Sequence, residues 1–331
     1  MTGRWIFQLS ADPIPALARS ADQALSYFTR RDLLGQSVES VDVLWNAAEV
    51  IRLIRKQKPD GSWRYEGIKG NSVPGQNYSL LETFRNLRIL VEMYGINRKH
   101  PIMVKAADYL FSCQTDEGDI RGIIGNQYMP YYHGAILELL IKSGYQDDPR
   151  VIAGLEWLLS MRQEDGGWIV PAQAVPPGQR TPEFWEGTPV MPERNRPHAH
   201  LATGMALRAF AAHPDYRRRQ EVIRAGGCLK ARFFKSEVYN DRRTPDYWLK
   251  FQYPFWWTNL VNALDSLSCL DFSAKDEDIS RGLAWFYAHQ EKDGLWPTGY
   301  DKGRTALANR RWIGLAICRV LKRFSSSTSA K

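Results

Sequence analysis

Gln57-Lys58-Pro59-Asp60-Gly61-Ser62-Trp63 is the stretch from which the fold is read, because it returns. Gln114-Thr115-Asp116-Glu117-Gly118, Gln163-Glu164-Asp165-Gly166-Gly167-Trp168 and Gln290-Glu291-Lys292-Asp293-Gly294-Leu295-Trp296 repeat its grammar. Each time a glutamine closes an apolar helical pattern and an acidic-glycine turn follows, glycine accepting the positive φ that other residues resist. The glutamines stand 57, 49 and 127 residues apart. The long last gap leaves room for one degenerate unit, a helix around Cys228 that exits through Lys230-Ala231-Arg232-Phe233-Phe234-Lys235. Self-similarity at such a period is the signature of a repeat architecture.

Residues 131–168 spell out one unit. A first helix, Tyr131 to Ser143, carries Ile136, Leu139 and Leu140 at helical spacing and stops at Gly144. Asp148-Pro149 opens a second helix, with aspartate as N-cap and proline at the first helical position. That helix runs to Gln163, after which Trp168 folds back onto the pair and the glutamine amide satisfies loose backbone groups at helix ends. The same reading fits 80–118 and 254–296, while 16–34 and 42–56 form a first pair and 305–324 a last, unpaired helix. The prediction is an all-α fold, an α/α toroid of about five helix hairpins plus a closing C-terminal helix. Closure is preferred to an open solenoid because no polar capping unit is present. The expected domain spans 16–324, with an N-terminal extension at 1–15, a proline-rich insertion at 169–197 and a disordered tail at 325–331.

Composition narrows the function classes. The 331 residues are 44% hydrophobic and 24% charged, which is globular composition. No apolar run is long enough to span a membrane, and early charges at Arg4, Asp12, Arg19 and Asp22 speak against a signal peptide, so a cytoplasmic location is expected. Cys113, Cys228, Cys269 and Cys318 stand apart, which fits neither a disulfide framework nor a compact cysteine zinc site. Lysine plus arginine number 44 against 36 acids. Residues 216–250 hold ten basic side chains against four acids, and 304–331 hold seven with none. These patches suit either a solvated face or peripheral contact with an anionic membrane surface. Nucleic acid is not expected, since no nucleic-acid-binding signature is present.

The strings Q-x-x-D-G-S-W and Q-E-D-G-G-W, each ending a second helix, resemble the Gln-Trp repeats of squalene cyclases. That superfamily includes oxidosqualene cyclases, class II diterpene cyclases and protein prenyltransferase β-subunits, and the resemblance covers residues 20–324. Tyr27-Phe28-Thr29-Arg30-Arg31-Asp32-Leu33-Leu34 and Arg311-Trp312 look closest to small uncharacterised bacterial toroids of this type. The resemblance implies one toroid, about half of a squalene cyclase, with a hydrophobic ligand in its centre. The departures are equally plain. The Asp-x-Asp-Asp motif of cyclases and the Asp-Asp-x-x-Asp motif of metal-dependent synthases are absent. Asp276-Glu277-Asp278 reads as a helix N-terminus, and no cysteine has an acid at the prenyltransferase zinc spacing. No metal and no cofactor are therefore expected.

In such a toroid the N-terminal ends of the first helices surround a cavity mouth. Aligning the units puts Tyr78 and Glu82, Tyr131, Tyr132 and His133, His198 and His200, Trp256 and Trp257, and Arg311 and Trp312 at that level. Trp185, from the insertion, joins them. Glu82, His133 and His200 are the candidate catalytic acid–base groups, Glu82 if it is buried among aromatics. Tyr78, Tyr131, Tyr132, Trp185, His198, Trp256, Trp257, Arg311 and Trp312 are candidate substrate contacts, their rings suited to a hydrophobic ligand or a carbocation. The insertion and a second irregular stretch at 236–254 are expected to cover one end of the cavity. The leading reading is a cofactor-free enzyme, cyclase/isomerase- or lyase-like, acting on an isoprenoid-like small molecule. A non-catalytic ligand- or partner-binding toroid is the alternative. A carbohydrate-active α/α toroid enzyme, with Glu183 and Glu186 as its carboxylates, is another.

Overall fold

The computed structural model describes residues 4–67, 75–239, 242–300, 302–303 and 305–327. Among these, regular structure is helical, with only isolated bridges such as Gln57 to Trp63 beside it. α1 (Ile14–Ala18), α2 (Gln23–Phe28) and α3 (Ala48–Lys56) precede the first Gln-Trp turn. α4 (Tyr78–Tyr94) is followed by α5 (Pro101–Ser112), and α6 (Pro130–Leu140) by α7 (Pro149–Ser160). The insertion holds the short α8 (Pro171–Ala174) and α9 (Pro182–Glu186), before α10 (His200–Ala212) and α11 (Gln220–Lys230). α12 (Leu260–Cys269), α13 (Glu277–Ala288) and α14 (Ala306–Ser327) complete the order.

Local chemistry sets these boundaries. Asp148 Oδ1 accepts from Arg150 N at 2.9 Å ahead of Pro149, and Asp276 Oδ1 accepts from Asp278 and Ile279. Both aspartates are therefore the N-caps that their sequence context implied. Three expectations are corrected. The helix expected over 16–34 starts at Ile14 and breaks at 19–22, where Asp22 caps α2 by accepting from Leu25 N, so the expected extension 1–15 already contains helix. That extension also holds a short 3-10 helix at Arg4–Gln8 with a buried Trp5. The partner expected over 42–56 is a 3-10 helix at Val41–Asn46 and then α3, separated by an extended Ala47. Residues 325–327, expected in a disordered tail, belong to α14, while 328–331 lie outside the described residues.

The chain divides into two compact units, one made of Val41–Cys228 and Glu237–Asp241, the other of Met1–Ser40, Leu229–Ser236 and Arg242–Lys331. In the first unit, side-chain contacts fix the direction of three helices. Phe84 of α4 meets Tyr132 of α6, and further along Lys142, just after α6, pairs with Glu92 of α4 at 2.7 Å. A Cβ on Gly134 of α6 would stand 2.7 Å from Ala206 Cα of α10, and further along Arg208 of α10 meets Glu138 at 2.6 Å. So α4, α6 and α10 run parallel, and their first turns share one end. Their far halves bury a charge network of Arg88, Glu138 and Arg208 with Lys142 and Glu92. Burial, followed by the charge of Arg208, lowers the proton affinity of Arg88 to about 9.

The second unit repeats the pattern. Asn309 near the start of α14 accepts from Tyr253 N, ahead of α12, and later Arg323 pairs with Asp265 of α12, so α12 and α14 are parallel as well. α14 lies against α1, α2 and Arg4–Gln8, which brings the two ends of the described chain into one unit.

The repeated turns share two kinds of hydrogen bond. Each tryptophan returns its indole N–H to the carbonyl ten residues earlier: Trp63 to Leu53, Trp168 to Leu158 and Trp296 to Phe286, at 2.9, 2.7 and 2.7 Å. Three glutamine amides each donate to the turn glycine and to a backbone carbonyl beyond. Gln57 reaches Gly61 and Ile102, Gln114 reaches Gly118 and Arg150, and Gln290 reaches Gly294 and Ala11. Gln163 departs from this wiring, for its amide donates to Glu193 and Arg196 of the insertion.

Candidate functional site

The reason for that departure is a shift of one residue. Trp168 keeps its register on Leu158, but only five positions separate Gln163 from Trp168, against six from Gln57 to Trp63 and from Gln290 to Trp296. The glutamine thus lies one place too far along, and the insertion takes it up. Glu164 N donates to Arg194 O at 2.9 Å, and Arg194 in turn donates to Arg162 O. The link to the next second helix is supplied instead by α11, from which Arg224 donates to the carbonyls of Glu164 and Asp165 and the Cys228 thiol to Asp165 O at 3.1 Å.

Around this rewired turn, the start of α10 gathers two histidine–carboxylate pairs. His198 Nδ1 and His198 N both lie within hydrogen-bond reach of Asp165 Oδ2, at 2.9 and 2.8 Å. Gly167 makes room for that ring, since a Cβ there would stand 2.5 Å from His198 Cβ. Burial works to raise the proton affinity of Asp165, but the bonds from His198 and Gly167 outweigh it and hold the carboxyl below the usual range. His200 Nδ1 lies 3.2 Å from Glu237 Oε2, with the two side chains only 7% and 1% exposed. Glu237 is fixed in turn by Leu201 N and Val238 N at 3.0 and 2.7 Å. Tyr239 OH donates to Pro197 O, tying the second irregular stretch to the end of the insertion.

The insertion is held rather than loose. Buried Gln127 donates to Phe184 O at 2.6 Å and accepts from Val190 N at 3.0 Å, while Asn126 N donates to Trp185 O.

The other expected site residues sort by unit. In the first, Tyr131 and Tyr132 lie in the first turn of α6, their rings 4.3 Å apart, and Tyr78 opens α4 with its ring 5.1 Å from Tyr65. With His200 in the first turn of α10, these residues share the end set by the parallel helices. Glu82 is not buried among aromatics: it is partly exposed and pairs with Arg85 at 3.3 Å, so the setting its acid role required is missing. His133 is not poised for catalysis. Its Nδ1 accepts from Ile120 N and its Nε2 meets Gly154 O, both at 3.0 Å, and full burial presses its pKa down to about 4. It fills the place of Thr83 and Thr203, whose hydroxyls accept from Trp63 N and Trp168 N in the neighbouring units. Trp185 is half-buried on α9, packed edge-on against Phe184. Glu183 and Glu186, the carboxylates expected for sugar chemistry, are exposed on the same short helix.

In the second unit, Trp256 and Trp257 stand ahead of α12 with rings 5.9 Å apart, and Arg242 lies 4.4 Å over Trp257. Trp312 is a core residue, stacked on Tyr253 and donating to Asp22 Oδ2 at 2.9 Å. The Arg311 Nε is buried with no hydrogen-bond partner among the described residues. The basic stretches are largely engaged at home: Arg219 with Glu156, Lys230 with Asp276, Arg310 with Asp293 and Arg319 with Asp32. No described helix is long and apolar enough to cross a membrane.

Sequence reasoning missed Asp165, Cys228 and Glu237. The signal for the first was available, since its repeat alone among the tryptophan-bearing turns has the short Gln-to-Trp spacing and a doubled glycine.

No family model matches this chain, and no curated protein matches it. Among solved structures it is similar to a protein from Actinoplanes, with a TM-score of 0.43 and 14% identity over 86% of this chain and 88% of that one. It is also similar to a protein described as a novel alpha-amylase from Clostridium perfringens, with a TM-score of 0.39 and 12% identity over 83% of this chain and 79% of that one.

Proposed function

We propose that this chain is an acid–base enzyme of the Gln-Trp repeat type, acting on an uncharged hydrophobic small molecule of isoprenoid character. The observation that carries the reading is the pair His200–Glu237, two nearly buried side chains at 3.2 Å, His200 on the first turn of α10 and Glu237 in the irregular stretch beyond α11. A carboxylate beside an imidazole stabilises its cation, which leaves proton delivery and recovery to Nε2. Tyr131 and Tyr132 supply aromatic surface at the same end of the parallel helices, and aromatic faces suit a hydrophobic substrate that develops positive charge. The place of Tyr132 beside Phe84 supports a ligand with little polarity. The catalytic step is proton transfer from the His200 imidazolium to the substrate; the cation so formed loses a proton from a neighbouring carbon back to the imidazole, which regains its charge and exchanges its proton with solvent.

The test is turnover in D2O. Wild type and His200→Gln are incubated with isoprenoid olefins, alcohols and diphosphates, with oligosaccharides alongside, and products are read by mass spectrometry. Deuterium enters the product with wild type and is lost with His200→Gln at unchanged helix content. Equal incorporation by the two proteins overturns the role of His200, and turnover of the oligosaccharides alone overturns the substrate class.

A further inference from the structure

We infer that Asp165, His198 and Cys228 form a binding site for a divalent transition-metal ion of the zinc type. A carboxylate oxygen, an imidazole nitrogen and the thiol sulfur of these residues all lie within 4.8 Å of one another. They come from three separate segments: the rewired turn, the residue two before α10, and α11. A mixed oxygen, nitrogen and sulfur donor set is the one that borderline-soft divalent ions prefer, and hard ions such as calcium and magnesium do not.

The repeat itself supplies the second argument. In the two turns closest in sequence to this one, the outer carboxylate oxygen meets a fixed cation. Asp60 Oδ2 stands 3.2 Å from the Lys58 ammonium, and Asp293 Oδ2 stands 2.7 Å from the Arg310 guanidinium. At Asp165 the equivalent oxygen faces the His198 imidazole with a thiol close by. The repeat's side-chain cation has been exchanged for two metal-ligating groups around a conserved geometry of carboxylate and turn, with Asp165 Oδ1 still accepting from Gly167 N as Asp60 Oδ1 does from Ser62 N.

His198 Nδ1 is the ring nitrogen on the Asp165 side, 2.9 Å from its Oδ2. Burial, and then the Asp165 charge, disfavours ionisation of the Cys228 thiol, while the nearby Arg224 charge favours it. A bound dication reverses that balance and takes the sulfur as thiolate, releasing its proton to solvent. Three protein ligands leave a fourth tetrahedral position for water, the arrangement of an ion that can meet a substrate. The ion is a property of this turn alone and does not depend on the role given to His200.

Cobalt(II) added to the full-length, metal-stripped protein reads the site directly. One equivalent is expected to bind, with a sulfur-to-cobalt charge-transfer band that zinc(II) abolishes by displacement. Cys228→Ser removes the band and weakens zinc binding at least about tenfold, and His198→Gln weakens it comparably. His200→Gln and Glu237→Gln keep the band, which separates this inference from the acid–base reading. No stoichiometric cobalt or zinc binding by wild type of native circular dichroism overturns the site. So does binding that survives Cys228→Ser and His198→Gln together, because the ion then sits elsewhere.

Discussion

At the scale of single residues, two buried groups have consequences that can be measured. His133 keeps a pKa of about 4 inside the protein, against 6.5 for the free side chain, so the folded state refuses a proton that the unfolded chain accepts. Its contribution is intact above pH 6.5 and is lost as pH falls from there towards 4, where the loss levels off. At 1.36 kcal/mol for each pH unit, that is on the order of 3 kcal/mol. Urea unfolding at a series of pH values should show this slope, and His133→Thr should flatten it. Threonine is the natural replacement because Thr83 and Thr203 already do the same work in neighbouring units. The variant loses about 2 kcal/mol at neutral pH for the space left under Trp157. Glu138 is the second such group. Glu138→Gln strips the carboxylate from between Arg208 and Lys142 while Arg88 stays buried beside them. Stranding buried guanidinium groups in this way should lower unfolding free energy by about 3–5 kcal/mol, read by the same titration.

At the scale of elements, the glutamine bonds separate repeat from exception. Gln57→Ala and Gln114→Ala each remove two hydrogen bonds that tie a turn to the start of a later helix, and each should cost roughly 1–3 kcal/mol. Gln163→Ala should instead leave the helices as stable as before within about 1 kcal/mol and open the insertion to limited proteolysis near Glu193 and Arg196. The helix pairs, caps and turns were legible in the sequence because period and punctuation are local properties. The break at 19–22 was not, since the cap at Asp22 competes with an apolar pattern that runs straight through it. Asp165 was read only as a turn residue, which it is. Its meeting with His198 and Cys228 depends on contacts 33 and 63 residues away along the chain, which no spacing rule encodes. His133 failed as a catalytic candidate for the converse reason: a histidine between two tyrosines and a glycine looks functional until the backbone groups beside it are known.

At the scale of the molecule, each compact unit contains its own evidence of order. In the unit that holds both ends of the described chain, Gln290 treats Ala11 as Gln57 treats Ile102, so the first residues complete a repeat junction. Removing residues 1–12 should therefore cost about 4–6 kcal/mol, from the burial of Trp5 and the lost glutamine bond together, seen as a lower urea midpoint. The tryptophans that close the repeats carry one more consequence. Trp63 and Trp168 are fully buried in one unit, and Trp248, Trp296 and Trp312 in the other, each indole N–H donating to a carbonyl or carboxylate oxygen. Indole emission shifts to the red when water reaches the ring. The protein thus carries its own optical reporters in each unit, and replacing Trp45, Trp63, Trp157, Trp168 and Trp185 together with phenylalanine leaves a fluorescence signal that tracks the melting of the other unit alone.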